Sequence, residues 1–514
     1  MVYSCPEFKN LRVVMQEFVD AVNGLVWSPA LVYLCLGAGL FFSIATRFVQ
    51  VRHFREMWRL LMNNEESQKG ISSFQALTVS LSGRVGTGNI AGVAAAIGFG
   101  GPGAVFWMWV VAFFGAATAY IESTLGQIYK EEIDGQYRGG PAFYIEKATG
   151  QKWYAVIFAI ATVIATGLML PGIQSNAMAN AVELAIGPGE LVSTGFGDIS
   201  FAKIVTGTVI ALLLGFIIFG GVKRIAHVTQ VVVPFMALGY IITACIVIGL
   251  HIHELPGIFN LIISDAFTPM AGLGAVIGWG VKRGVYSNEA GQGSGPHAAS
   301  AAEVDHPAQQ GLVQSFSVYV DTLFVCTATA LMILITGSYN VIGADEQMIV
   351  SNLSASMIPN SPAFTQAAME SIFPDLGNVL IAISLFFFAF TTILAYYYIA
   401  ETNLTYLQRH VHLPNPLFVL KIALVAATFY GAIKAANLAW AMGDIGVGLM
   451  AWLNILAIIF IYICAKPAVK ALRDYEAQQA QGLDKFCFDP EKLGIKGADF
   501  WEARIKKQQS AEQA

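Results

Sequence analysis

Apolar residues run through this chain in blocks too long for a soluble core. Ile204 to Gly221, Val228 to Leu250 and Val379 to Ala400 carry almost no charge. Each reaches the roughly 18 consecutive apolar residues that mark a membrane-spanning helix. With glycine, proline and charge clusters as boundaries, the pattern predicts eleven spans: 23–46, 74–98, 102–129, 153–177, 203–221, 227–250, 267–284, 310–336, 377–400, 417–436 and 444–466. The expected fold is all-α and polytopic. Residues 1–73 supply one extra helix and a loop, 74–250 and 267–466 two sets of five spans, and 467–514 a charged, Gln-rich tail too polar for lipid.

Five is odd, so the second set starts on the opposite side of the membrane from the first, an inverted-topology repeat. Arg47, Arg52, Arg55, Arg59 and Lys69 crowd the loop after the first span, and every second loop thereafter is basic. Residues 130–152 hold Lys130, Arg138, Lys147 and Lys152, whereas 337–375 hold neither Lys nor Arg. Basic loops stay in the cytosol, which predicts the N-terminus outside and the C-terminus inside a bacterial or archaeal plasma membrane. Composition agrees: 56% of the 514 residues are hydrophobic and 12% charged, about half the charge of a soluble domain. The net charge of −5 with no basic cluster beyond those loops argues against a nucleic-acid partner. Six dispersed cysteines without a CxxC imply neither a disulfide framework nor a zinc site.

The first span of each set is the one most interrupted by glycine: Gly83, Gly86, Gly88 and Gly92 in one, Gly272, Gly274, Gly278, Gly280 and Gly284 in the other. Matched interruptions of this kind point to a transporter's binding site. A helix that unwinds at mid-membrane frees carbonyls that ligate a cation and N–H groups that hold a carboxylate. Lipid tolerates such backbone only against protein or a cavity. The competing explanation is close helix packing, for which Gly88 and Gly92 form a GxxxG.

The run Ser82-Gly83-Arg84-Val85-Gly86-Thr87-Gly88-Asn89-Ile90-Ala91-Gly92, then Gly100-Gly101-Pro102-Gly103-Ala104-Val105-Phe106-Trp107-Met108-Trp109, resembles the signature of the alanine or glycine:cation symporter family. Arg283-Gly284-Val285-Tyr286-Ser287-Asn288-Glu289-Ala290-Gly291-Gln292-Gly293-Ser294 resembles that family's second hallmark. The pattern of spans carries the resemblance over about residues 20–470. It implies a LeuT-type architecture, five plus five with one extra helix, and co-transport of a small neutral amino acid with sodium. It further implies that Thr87, Gly88 and Asn89 meet the substrate carboxylate, while the carbonyls of Ser82 and Val85 hold sodium. Phe388 to Thr392, with the hydroxyls of Thr391 and Thr392, would complete the sodium shell. Gln174 would hydrogen-bond the substrate, and Gly278 with Trp279 would form the break in the sixth core helix.

Arg84 is the costliest residue of its span, at least about 2.5 kcal/mol if unpaired near the bilayer centre; Glu122, Asp321, Glu289 and Glu401 are its candidate partners. Trp27, Trp153 and Trp440 fall near span ends and read as interface anchors. Residues 57–69 read as a solvated connector rather than a surface helix. HExxH, GxSxG and GxxxxGK[ST] are all absent, which removes the usual signatures of a zinc protease, a serine hydrolase and an ATP-driven pump. A proton-coupled carrier on the same frame and, further off, an ion channel are the alternatives.

Overall fold

Hydrocarbon offers the backbone no hydrogen bonds, so apolar runs of this length close their peptide groups into helices. The computed structural model describes residues 6–62, 70–194, 197–270, 272–411, 414–483 and 485–512. Helices α1 (Pro6–Val26), α2 (Pro29–Ala45) and α3 (Phe54–Met62) lead the chain. The first set of five opens on a split helix: α4 (Ser73–Arg84), a π-helical turn at Gly88–Gly92, and α5 (Val93–Gly100). Then come α6 (Ala104–Ile128), the short α7 (Pro141–Thr149), α8 (Lys152–Ile186), α9 (Phe201–Ile218) and α10 (Gly221–Leu250). After α11 (Leu255–Phe267) the second set also opens on a split helix, α12 (Leu273–Asn288) and α13 (Gly295–Ala301). It continues with α14 (Pro307–Ile335), α15 (Ala363–Ile372), α16 (Gly377–Gln408), α17 (Pro416–Ile433) and α18 (Ala436–Ala465). Two tail helices close the chain, α19 (Pro467–Ala480) and α20 (Asp499–Glu512).

Among the described residues, nine helices are long and apolar enough to cross a membrane. The other two of the eleven expected spans, 74–98 and 267–284, are the split ones, whose halves are individually short. The order is a leading helix, then two runs of helices, each beginning with a break. Ser72 starts α4 through a capping box, its hydroxyl accepting from Gln75 N–H while the Gln75 side chain accepts from Ser72 N–H. α6 packs along α12, α13 and α14, and α8 packs along α16 and α17. Small residues at the crossings permit the approach; a Cβ on Gly443 of α18 would fall 2.0 Å from Ile173 of α8.

Two sequence expectations need correction here, and the tail shows a feature its composition did not. The sixth core span lies later than 267–284, because Pro269 and Gly272 (φ 90°) end one helix and begin α12, leaving α11 as a separate element. The connector at 57–69 is helical as far as Met62, with Met57 fully buried; 63–69 lie outside the described residues. The polar tail is folded against the protein. Trp501 is buried and donates to Gln127 O (2.9 Å), while Lys147 pairs with Asp499 (2.7 Å) and Arg504 with Asp305 (2.8 Å). Lys130 sits over the rings of Tyr137, Phe500 and Trp501. This end of the bundle is the tail end, and the opposite one the vestibule end.

Candidate functional site

The first break consists of Val85 and Gly86, where the backbone leaves the helix (Val85 φ −78°, ψ 87°) before Thr87 resumes it. Carbonyls at the end of α4 lose their intrahelical donors there. Thr392 of α16 faces them: its Oγ1 lies 2.7 Å from Ser82 O, 2.9 Å from Phe388 O and 3.4 Å from Val85 O. One hydroxyl hydrogen cannot serve three carbonyls. Four hard oxygens from two helices thus converge, and the Ser82 and Val85 carbonyls freed at the break have only the Thr392 hydroxyl hydrogen to share from α16; this is the kind of donor set an alkali cation takes. A Cβ on Gly86 would come within 2.4 Å of Thr392 Oγ1, so only glycine leaves the space open.

On the other side of the break, the start of the next half-helix presents N–H groups without intrahelical acceptors. Neutral amide oxygens occupy them. Thr87 donates from its N–H (3.0 Å) and its hydroxyl (2.7 Å) to Gln174 Oε1, and Gly86 N–H donates to Asn89 Oδ1 (2.8 Å). Asn89 is held in turn by donating from Nδ2 to Asp321 Oδ1 (2.6 Å), which also accepts from Ser287 Oγ (3.1 Å). Asp321 lies in the π-helical stretch Tyr319–Cys326 of α14 and so ties the two broken helices together. Gly88 is closed in by Tyr286 and Ser287, 3.1 and 3.2 Å from where a Cβ would stand. Every residue of this cluster is buried.

The second break spans Glu289–Ser294, with Glu289, Gly291 and Gly293 at φ 57°, 84° and 82°. Its N–H groups are occupied by an anion built into the fold. Gly291 N–H and Gly293 N–H donate to the two carboxylate oxygens of Glu122 on α6 (3.2 and 3.1 Å). Asn454 of α18 donates to the same carboxylate (2.7 Å) and is itself bonded by the Tyr144 hydroxyl.

Of the residues expected at the site, Ser82, Val85, Thr87, Gly88, Asn89, Gln174, Phe388 and Thr392 come together. Thr391 does not. Its hydroxyl returns to Phe387 O (2.9 Å) and Phe388 O (3.1 Å) and faces Met236 of α10, the usual back-bond of a membrane threonine. Gly278 and Trp279 are not a break either; they belong to the unbroken α12, where Trp279 stacks on Phe99 at 4.6 Å. Arg84 reaches Gln314 O (3.1 Å) and Ser317 Oγ rather than bonding one of the four candidate acids, although Glu289, Glu122 and Asp321 surround it. Glu401 pairs with Arg138 instead (2.7 Å).

At the vestibule end a cavity of about 900 Å³ descends between α1, α5, α12 and α18. Its floor is Arg283, which makes a bidentate pair with Asp444 (2.9 and 3.0 Å) and lies 4.4 Å from the Trp440 ring centre. Tyr286 packs beneath Trp440, with ring centres 5.2 Å apart and planes tilted by 41°, and covers Gly88. Trp440 is therefore a buried roof over the first break rather than an interface anchor, and Trp27 donates to Asp444 O (2.8 Å) rather than standing free at an interface. Trp153 is exposed, 63% accessible, as an anchor should be. Tyr286, Ser287, Arg283 and Asp444 had no assigned role in the sequence analysis. The available signal was charge inside apolar spans, which is costly unless paired.

The chain matches the sodium:alanine symporter family over residues 12–489. YrbD of Bacillus subtilis (strain 168) is 56% identical across 95% of this chain and 98% of its own length. The sodium/proton-dependent alanine carrier protein of Bacillus sp. (strain PS3) is 49% identical across 88% of this chain and 98% of its own. Among solved structures, MhsT in complex with L-phenylalanine aligns at a TM-score of 0.48 and 13% identity, covering 77% of this chain and 99% of that one.

Proposed function

The chain belongs to the sodium:alanine symporter family, and from that premise we propose that it imports small neutral amino acids, alanine or glycine, together with sodium by alternating access. The observation that carries the reading is the first break. It offers excess carbonyl and hydroxyl oxygens on its α4 side and N–H groups on its α5 side. A cation and a carboxylate bound there neutralise one another across a few ångströms of low-dielectric protein, so each raises the affinity for the other. Ser82, Val85, Phe388 and Thr392 hold sodium; Thr87, Gly88 and Asn89 hold the carboxylate once it displaces the neutral oxygens of Gln174 and Asn89. Gln174, freed from Thr87, turns to the ammonium or remains at the pocket wall, while Tyr286 and Trp440 leave room only for a small side chain.

Loop charge supports eleven spans, a plasma membrane, an external N-terminus and a cytosolic tail end. A cysteine placed at 340–360 is then labelled from outside by an impermeant thiol reagent, and one at 130–150 is not. The vestibule consequently faces outward and the tail-end face is shut. Proton coupling is the second reading, favoured by the name of the 49% identical carrier. The experiment is labelled-alanine uptake into proteoliposomes under sodium, lithium or potassium gradients at two pH values. Uptake driven by sodium at both pH values supports the proposal. Uptake that follows only the pH gradient transfers the coupling to protons, and no uptake of any small neutral amino acid refutes the reading.

A further inference from the structure

Opposite the vestibule, the two broken helices are tied together and then strapped by the chain's own tail. Just before α4, Ile71 forms a parallel bridge with Ala302: Ile71 N–H donates to Ala301 O (3.1 Å), and Glu303 N–H donates to Ile71 O (3.0 Å). The bridge joins the lead-in of α4 to the end of α13. Gln127 at the end of α6 and Lys130 just beyond it hold the same corner, donating to Ala302 O (3.0 and 2.8 Å). α20 crosses over both. Trp501, 1% exposed, donates to Gln127 O and packs against Phe488; with Phe500 and Tyr137 it covers the buried Lys130 ammonium. One turn further along α20, Arg504 donates to Val304 O (2.6 Å) and Asp305 Oδ1 (2.8 Å), on the segment that follows Ala302. These two attachments are unequal. The Trp501 anchor is desolvated, whereas the Arg504 and Asp305 side chains are 29% and 40% exposed, and a solvated ion pair holds weakly.

Between this corner and the first break, α4, α13 and α16 enclose a cavity of only about 10 Å³, lined by Ser80, Gly83, Glu289 and Tyr398. The seam is shut. Ser80 Oγ is buried beside it with no hydrogen-bond partner among the described residues, so opening the seam to water relieves an unpaired hydroxyl. We propose that α20 is a latch on this tail-end gate: anchored to α6 by Trp501, it holds the joined α4 lead-in and 302–305 segment closed through Arg504, and its release sets how often the seam opens. The proposal rests on the alternating-access reading, in which a ligand at the first break leaves on this side. The family match ends at residue 489, short of α20, so the latch lies outside the matched frame. It touches none of the oxygens or N–H groups of the first break. Weakening it therefore shifts the population toward the open state and leaves the ligand's own contacts intact.

Two measurements test it. Ser80→Cys is the reporter, labelled in the purified full chain by an impermeant thiol reagent and read at that residue by mass spectrometry, so that the rate follows the open population. In that background Arg504→Leu is expected to label about fivefold faster, the range of an exposed ion pair, Arg504→Lys within about twofold of the parent, and Trp501→Ala at least as fast as Arg504→Leu. Equal rates in the parent and Arg504→Leu overturn the latch. The second measurement keeps Trp501 and fastens the latch covalently. Asp305→Cys with Arg504→Cys, joined by a short bifunctional thiol reagent with a reducible link, should lower alanine uptake in proteoliposomes at least ~fivefold, as a gate held shut does. Reduction should restore uptake, and neither single-cysteine variant should lose it on treatment. Full uptake through the cross-linked chain overturns the proposal even where Trp501→Ala fails to fold. Wild-type protein that takes up no small neutral amino acid refutes the transport reading instead, and the labelling rates still decide the latch.

Discussion

The two broken helices look alike in composition and differ in what fills them. At Val85–Gly86 the freed N–H groups rest on the neutral oxygens of Gln174 and Asn89, and the freed carbonyls share one threonine hydrogen. At Glu289–Ser294 the freed N–H groups already donate to the carboxyl oxygens of Glu122, which Asn454 and Tyr144 hold in position. A neutral acceptor yields to an incoming carboxylate, because charge-assisted hydrogen bonds are roughly twice as strong as neutral ones. A built-in carboxylate does not yield. The first break is therefore the one suited to take a ligand, as proposed, and the second is a joint closed by the protein's own carboxyl group.

The strongest way to break this comparison is to fill the first site. Gly88→Val places a branched side chain against Tyr286 and Ser287, which already stand at 3.1 and 3.2 Å from a Cβ. Alanine binding should fall at least ~100-fold, the equivalent of about 2.8 kcal/mol of overpacking. Isothermal titration on the purified variant, beside its melting curve, reads this, and near-wild-type affinity would make the two breaks equivalent. Glu122→Gln should act on stability instead. An amide has one acceptor, so its NH₂ faces one of the two N–H groups of Gly291 and Gly293 and leaves a buried donor unpaired, at a cost of about 1–3 kcal/mol. A lowered thermal midpoint with alanine affinity little changed is expected; lost affinity with an unchanged midpoint would make the second break a ligand site too. The smallest effect belongs to Gly278→Ala. Nothing lies within 4 Å of its Cβ position and α12 is unbroken there, so uptake should stay near wild type and stability rise by up to about 0.5–1 kcal/mol. A large loss of uptake would return a functional break to that position.

Hydrophobic runs made nearly every span legible, because a chain in lipid has little choice but to form a helix. The first break was legible through Ser82 to Gly92, where glycines cluster within one short stretch of a span. The second was misplaced because Gly272, Gly274, Gly278, Gly280 and Gly284 outnumber the glycines of the real break. Two of them serve packing instead; a Cβ on Gly280 would lie 2.5 Å from Ala104 O, and one on Gly284 2.4 Å from Val111. Left-handed backbone at Glu289, a non-glycine residue, has no compositional mark. Thr391 and Thr392 cannot be separated by type, only by the 100° of helix rotation between neighbours that turns one toward α4 and the other toward α10. Asp444 and Arg283 could have been singled out as charges in apolar spans, as Glu122 was, but the partners of all three lie hundreds of residues away or on another helix, and only folding brings them together. The tail read only as too polar for lipid, because Trp501 and Phe500 are few among its Gln and Lys residues, yet Trp501 is buried against the protein with Phe500 packed edge-on to it.

That separation gives the most direct test of the claim that the first break binds the coupling ion. Alanine uptake is measured against sodium concentration for wild type, Thr391→Val and Thr392→Val, since valine keeps the shape and deletes the oxygen. Thr392→Val should raise the sodium half-saturation roughly tenfold, about 1.4 kcal/mol of lost ion binding, with a smaller change in alanine affinity at saturating sodium. Thr391→Val should leave both close to wild type. Equal shifts in the two variants, or no shift in Thr392→Val, would contradict the account and move the ion away from the oxygens of Ser82, Val85, Phe388 and Thr392.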